Sequence, residues 1–498
     1  MSAEARETED HATPAASEAG RDPSHRRQKL VAAALAVSVS VIHLVGSWVP
    51  SFWYDEAATL QLARLSPTDF FRFVGERDAV HALYGFGMHV WIQVFGESEL
   101  SLRAPSALAI GVATAGVYLL TRRFGASPLA SLFGGLVFAL LPRIVVQAVE
   151  ARSYAVAVAL LVAAAWCIAE WCETRRWRAW IGYLLLMSLA IWTFAYSLLA
   201  LPAFAYLAYT SPTSRQRTWS AASALAPLVA ALPLLPLMLR QKGQVSWLEE
   251  QSVSGWTVLV EPFYGWSMWM ALLVLGLFVL APWRILISQK AVHMLALWLF
   301  VPPIALLLAS VLVQPVYTPR YLSMCAPALA ILSGMAVHGK TPRWILTVAI
   351  AWVLSATPAY VWARQVDSKP GSIDFRDVAL TVSRNAAAGD AVLFGTDGVG
   401  ALRPRVALAA YPGSFESLTD IALRQPFPAT GTYWDRVEAP SEVDLRSFAR
   451  VWVVDRESSD FDRELRGAGY TPATIGDVTG IRIVRWDAPA RRDVSDKG

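Results

Sequence analysis

Charge is what this chain has least of. Only 16% of its 498 residues are Asp, Glu, Lys or Arg, against 55% hydrophobic residues, and the mean hydropathy is +0.41. A soluble domain carries roughly a quarter charged residues. The composition therefore excludes an ordinary soluble protein and predicts a polytopic α-helical membrane protein. Cysteine is almost as scarce: Cys167, Cys172 and Cys325 all lie in apolar runs, which excludes a disulfide framework and leaves them as packing residues. A net charge of +4 is too small to point to nucleic acid. No P-loop, G-x-G-x-x-G after a strand, H-E-x-x-H or paired C-x-x-C occurs, so nucleotide hydrolysis and zinc chemistry have no motif to rest on. The apolar segments hold no sustained row of charges, which a proton pump or voltage sensor would need.

What is present in quantity is apolar sequence of helix length. Eleven runs stand near 30–49, 102–121, 126–142, 154–172, 178–194, 195–210, 219–239, 265–283, 291–313, 321–338 and 343–362, most reaching or approaching the roughly 20 residues of a spanning helix. Six basic clusters, beginning at Arg26, Arg122, Arg175, Arg215, Arg284 and Lys340, all fall on the cytoplasmic side if the ambiguous stretch 81–96 lies along the interface rather than crossing. That predicts a multi-pass protein of the plasma (inner) membrane with its N-terminus cytoplasmic. Residues 1–28 are polar and acidic and are expected to be a disordered cytoplasmic tail. Residues 29–364 form the membrane domain. Beyond Arg364 the pattern changes: "DAVLFG", "RVWVVDR" and "GIRIVRW" predict strands and "DFRDVALTVSRNAA" and "DFDRELRGAG" helices, so 365–498 is expected to be a small α/β domain outside the membrane.

With this topology, the loops at 50–101, 143–153, 240–264 and 314–320 share the outer side, and they hold the unusual polar residues. "WYDEAAT" places Tyr54, Asp55 and Glu56 at the membrane surface, where a carboxylate is less well solvated and more basic. An acidic pair of this kind otherwise merely stops a span. "ERDAVHALY" brings Asp78 and His81 onto one helical face, although Asp78 could equally cap that helix. "VEARSYAV" has Glu150, Arg152 and Tyr154 in a mostly apolar segment, where ionisable groups are retained for function or mutual pairing; a snorkelling Arg is the plain alternative. "VYTPRYL" offers Tyr317, Arg320 and Tyr321. A lone outer Arg runs against the positive-inside trend, and a phosphate ligand or an aromatic belt would each account for it. One pocket with carboxylates, a His and two Arg over an apolar base suits a substrate with a lipid tail, a phosphate and a hydroxylated headgroup.

In order, "WYDEAAT", "DAVHALYGFGMHVWIQVFGESELSLRAPSAL", "EARSYAVAVAL" and "YTPRYL" resemble the segments of GT-C superfamily glycosyltransferases, close to family 39 and related actinobacterial mannosyltransferase-like proteins, over about residues 30 to 330. The resemblance implies the GT-C fold, with interfacial helices in the first outer loop, and inverting transfer of a sugar from a polyprenyl monophosphate carrier. The acceptor would be a cell-envelope glycan, lipid or protein on the outer face, and membrane lipids would surround the enzyme. By match, Asp55 is the catalytic base or acceptor-orienting group with Glu56 beside it. Arg152 and Arg320, with Tyr321, would hold the donor phosphate, and Tyr54, Asp78, His81, Glu150, Tyr154 and Tyr317 would shape the sugar and acceptor pocket. Mannose is the sugar the resemblance implies, with arabinofuranose or another pentose as the alternative. No metal is expected to be required, although Asp55, Asp78 and Glu150 have the oxygen chemistry for Mg or Mn. A lipid or polyprenyl-phosphate transporter or binding protein using the same pocket without chemistry is the competing class.

Overall fold

The computed structural model describes residues 23–211, 217–241, 243, 253–396, 400–445, 447–457 and 460–489. Most of the expected N-terminal tail, part of the loop at 240–264 and the last nine residues lie outside them.

All eleven apolar runs are helical, but they are not eleven uniform spans. Among the described residues, five helices are long and apolar enough to cross a membrane alone: Arg26–Leu44, Glu99–Arg123, Tyr154–Thr174, Lys290–Leu312 and Pro342–Trp362. Two bent pairs raise the number to seven, Pro128–Leu140 with Pro142–Ala148 at 62° and Arg217–Ala231 with Leu234–Arg240 at 53°. The runs at 178–194, 195–210, 265–283 and 321–338 form helices of 17 residues or fewer. Proline accounts for much of the fragmentation. Pro142, Pro202 and Pro327 each stand in the first turn of a new helix, where the missing N–H costs nothing, whereas in a continuing helix the ring would clash with the preceding turn. The stretch 81–96 forms Ala82–Phe95, only 14 residues long, and packs with Tyr54–Arg64 through Tyr84, Met88 and Leu60. Small residues let spans approach closely. A Cβ on Gly111 would collide with Ser40 Oγ and the Ala36 carbonyl oxygen of the first helix.

The C-terminal region is built on a five-stranded sheet of order β2-β1-β5-β7-β6, comprising β1 (Ala391–Phe394), β2 (Thr419–Asp420), β5 (Arg450–Asp455), β6 (Thr471–Val478) and β7 (Ile481–Asp487). β1 runs parallel to β2 and β5, and β7 is antiparallel to β5 and β6. The three strands expected from the sequence are β1, β5 and β7, and the two expected helices are Phe375–Asn385 and Asp460–Gly467. A short hairpin of β3 (Leu423–Gln425) and β4 (Arg436–Val437) lies beside the sheet's own order. Alternate residues of a strand face opposite ways. On one face, Val392, Phe394, Trp452, Val454 and Ile483 share a core with Phe52, Ala57 and Leu60 of the first loop. On the other, Leu393, Val451 and Val453 pack on Phe461 and Leu465. The sheet is thereby seated on the helix that carries the acidic pair.

Candidate functional site

Asp55 and Glu56 occupy the first turn of Tyr54–Arg64. Neighbours on a helix point about 100° apart, and that angle separates the two acids completely. Glu56 turns inward and is 0% exposed. Its Oε1 and Oε2 accept from Arg103 Nε at 2.7 Å and Nη2 at 2.6 Å, and Oε1 also accepts from the Ala151 N–H at 2.9 Å. Arg103, itself 0% exposed, spends its remaining donors on the Ser47, Pro50 and Ser51 carbonyls. Lys369 Nζ stands 3.8 Å from Glu56 Oε2. Burial works to raise the Glu56 carboxyl, but the Arg103 and Lys369 charges overcome it and hold the group below the usual carboxylate range. Glu56, expected beside Asp55 in the catalytic pair, is enclosed here and ties the first loop to the Glu99–Arg123 helix.

Asp55 turns the other way and is 19% exposed. Arg320 Nη1 donates to its Oδ2 at 2.9 Å, and Arg152 Nε lies 3.9 Å from the same oxygen. Arg152 also reaches the Asp55 carbonyl and Thr59 Oγ1, each at 3.4 Å. Thr59 follows Asp55 by four residues and so shares its face.

Arg320 forms part of the wall of a cavity of about 1400 Å³. Pro142 directs a short helix whose Arg143 and Gln147 line it; Glu150, Tyr317 and Lys369 line it as well, and Trp53, Trp266 and Trp362 add an apolar surface. Arg143 lies 3.7 Å from Glu261 Oε1, and the Tyr317 hydroxyl donates to the Thr257 carbonyl at 2.6 Å. The Glu150 carboxylate has no hydrogen-bond or ion-pair partner among the described residues, and burial raises it above the usual range. Chemically, this is a large apolar chamber with cations and a buried, unpaired Glu150 on its wall, dimensioned for a long apolar ligand with an anionic group.

The remaining expected residues divide among a small pocket, an aromatic cluster and a stack on Trp434. Asp78, in the left-handed region at φ 62°, makes no side-chain cap bond to the following helix and instead accepts from the Tyr433 hydroxyl at 2.7 Å. His81 Nδ1 is 3.0 Å from Ser153 Oγ, and burial lowers its pKa. Asp78, His81, Arg152 and Tyr433 line one small pocket; of the expected phosphate ligands, Arg152 therefore faces this pocket and Arg320 the large cavity. Tyr321 joins neither lining. It lies in an aromatic cluster with Tyr154, Phe194 and Tyr196, at centroid distances of 6.2, 5.5 and 5.1 Å. Tyr54 stacks on Trp434 at 4.5 Å, and its hydroxyl accepts from Trp434 Nε1 at 2.8 Å. Asp55, Asp78 and Glu150 go to separate surroundings, and among the described residues no group of three or more His, Cys, Asp or Glu side chains is arranged to hold a metal ion.

The sequence reading missed Arg103, Arg143, Lys369, Tyr433 and Trp434. Arg103 and Arg143 carried a signal, each being a lone charge in an apolar run. Lys369, in "DSKPGS", reads as a solvated linker, and Tyr433 and Trp434 belong to a polar stretch remote in the chain.

Residues 83–239 match the family model described as dolichyl-phosphate-mannose-protein mannosyltransferase. That match begins after Asp55 and ends before Arg320. No curated protein sequence matches the chain. Among solved structures, ArnT from Cupriavidus metallidurans in the apo state is similar at a TM-score of 0.58 and 14% identity, over 93% of this chain and 98% of that one. The same protein bound to undecaprenyl phosphate gives 0.56 and 17%, over 92% and 97%. The sequence match thus covers about a third of the chain, within the central spans, while the likeness to ArnT extends over nearly the whole length as a likeness of fold.

Proposed function

We propose that the protein transfers a sugar from a polyprenyl monophosphate carrier to a hydroxyl acceptor of the cell envelope with inversion at the anomeric carbon, and that Asp55 is the base. The observation that carries this reading is the contact of Asp55 with Arg320, which joins a partly accessible carboxylate to the cationic wall of the large cavity. The carrier's apolar chain lies in the cavity and its phosphate against Arg320. The acceptor oxygen attacks the anomeric carbon as the bond to the phosphate oxygen breaks. Asp55 takes the hydroxyl proton, and the carrier leaves as polyprenyl phosphate, its charge met by Arg320. A phosphate on Arg320 competes with Asp55 for the same guanidinium, so donor binding loosens the contact that holds the base. This reading assigns the sugar or acceptor hydroxyls to His81, Asp78, Arg152 and Tyr433, which line the small pocket. No step is routed through a metal.

The orientation that goes with this reading puts the site and the C-terminal region on the outer face, where the basic-cluster pattern places the loops that carry Asp55, Arg152 and Arg320. Mannose is the proposed sugar, in keeping with the family description matched by residues 83–239. The test is transfer from radiolabelled polyprenyl-phosphate-mannose by the full chain in lipid, wild type against Asp55→Asn. Retained donor binding with turnover reduced about 10²–10⁴-fold is expected; equal turnover in the two removes Asp55 from the chemistry.

A further inference from the structure

Lys369 sits on the segment that leads from Pro342–Trp362 to the C-terminal sheet, and this segment is itself a wall of the large cavity. The residue is 5% exposed. Its Nζ donates to the Val149 carbonyl at 2.7 Å and stands 3.8 Å from Glu56 Oε2. An ammonium has three donors, and only one of these finds a close acceptor among the described residues. Glu56 does not balance the charge either. Both its oxygens are already engaged by Arg103 at 2.6 and 2.7 Å, so one buried carboxylate serves two buried cations. Glu150, on the same wall, favours the ammonium but forms no ion pair with it among the described residues, so Lys369, the member of the trio that reaches the cavity, carries the least closely paired charge. The other two cations of the wall differ in this respect, since Arg143 has Glu261 and Arg320 has Asp55. A desolvated cation without a full counter-charge is costly, and an anionic ligand in the cavity removes that cost.

We infer that Lys369 is a phosphate-binding residue of the donor site, that it grips the carrier phosphate together with Arg320, and that Glu56 and Arg103 are the fixed ion pair that positions it. This rests on the reading of the cavity as the carrier site. It gives the adjacent acids separate parts: Asp55 at the reacting hydroxyl, Glu56 behind the phosphate.

Burial brings the Lys369 ammonium down to about 8, and this adds a pH signature. The charges acting on it are Glu56 and Glu150, which favour the ammonium, and Arg103 and Arg364, which oppose it. Phosphate binding that needs the ammonium weakens as pH rises through that value.

The experiment measures binding of undecaprenyl phosphate, undecaprenol and inorganic phosphate to the full chain in lipid nanodiscs, for wild type, Lys369→Met and Lys369→Arg. The expected result is affinity for undecaprenyl phosphate falling about ten- to a hundred-fold in Lys369→Met, largely restored in Lys369→Arg, with undecaprenol binding equal in all three. Wild-type affinity should also fall above pH 8, and that of Lys369→Arg should not. Should Lys369→Met not fold, the wild-type and Lys369→Arg pH profiles decide; identical profiles overturn the inference. Wild-type affinity in Lys369→Met overturns it while leaving the carrier reading intact. Wild-type protein that binds undecaprenyl phosphate no better than undecaprenol or inorganic phosphate overturns the carrier reading itself.

Discussion

Glu56→Gln separates the two neighbouring acids most sharply. The substitution keeps the shape of the side chain and removes a charge that faces Arg103 and Lys369 inside the protein. Arg103 is left 0% exposed with no carboxylate against it. Breaking a buried pair by deleting one partner costs about 3–5 kcal/mol, and the amide recovers part of that through its remaining acceptor oxygen. The assay is the apparent unfolding midpoint of the full chain in detergent, with Asp55→Asn beside it. Asp55 is partly exposed, and Arg320 retains solvent access at 25%, so Asp55→Asn should unfold close to wild type while losing turnover. Glu56→Gln should unfold several degrees earlier. There is also a sign in pH. The folded Glu56 titrates below its ordinary value of 4.5, so its stabilisation is complete above that value and is lost as pH falls through the lower, folded one. Acidification from pH 5 downward should therefore narrow the gap between wild type and Glu56→Gln. A Glu56→Gln protein as stable as wild type at neutral pH, yet inactive with donor bound, would refute the assignment of Glu56 to the scaffold.

Further outcomes follow from the same geometry. Gly371 has φ +90°, and a Cβ there would meet the Ala401 carbonyl oxygen at 2.9 Å. Gly371→Ala is expected to strain the segment that carries Lys369 by about 1–3 kcal/mol and to weaken polyprenyl-phosphate binding, read by titration with the carrier lipid. Tyr433→Phe deletes the 2.7 Å bond to Asp78 at about 1.5–3 kcal/mol, and should lower the unfolding midpoint and raise KM for the acceptor without changing carrier affinity. Trp434→Ala removes both the stack and the hydrogen bond on Tyr54; limited proteolysis should find the stretch around 427–434 cut faster than in wild type.

Much of this molecule is legible in the sequence because it depends on composition and period. Low charge and long apolar runs set the membrane class, and the short strand-length apolar run in "RVWVVDR" set β5. The polar clusters at 54–56, 150–154 and 317–321 stand out because ionisable groups in apolar surroundings need a reason. The number of spans was less legible, since apolar length says nothing of where Pro142 or Pro202 turns a helix. The roles of Asp55 and Glu56 could not be separated in one dimension, where they are simply adjacent. Helical geometry sends one to Arg320 and the other to Arg103, and only the packing of Glu99–Arg123 against the first loop decides which acid is enclosed. Lys369, Tyr433 and Trp434 were invisible for the same reason. Nothing in "DSKPGS" or "GTYWDR" marks a site, and they gain one because the C-terminal sheet shares a hydrophobic core with Tyr54–Arg64. Sequence thus determined the membrane fold and the kinds of chemistry available, which follow from local composition. Tertiary structure decided which charges neutralise one another and which is left facing the cavity, because that depends on distances between residues as far apart as Glu56 and Lys369.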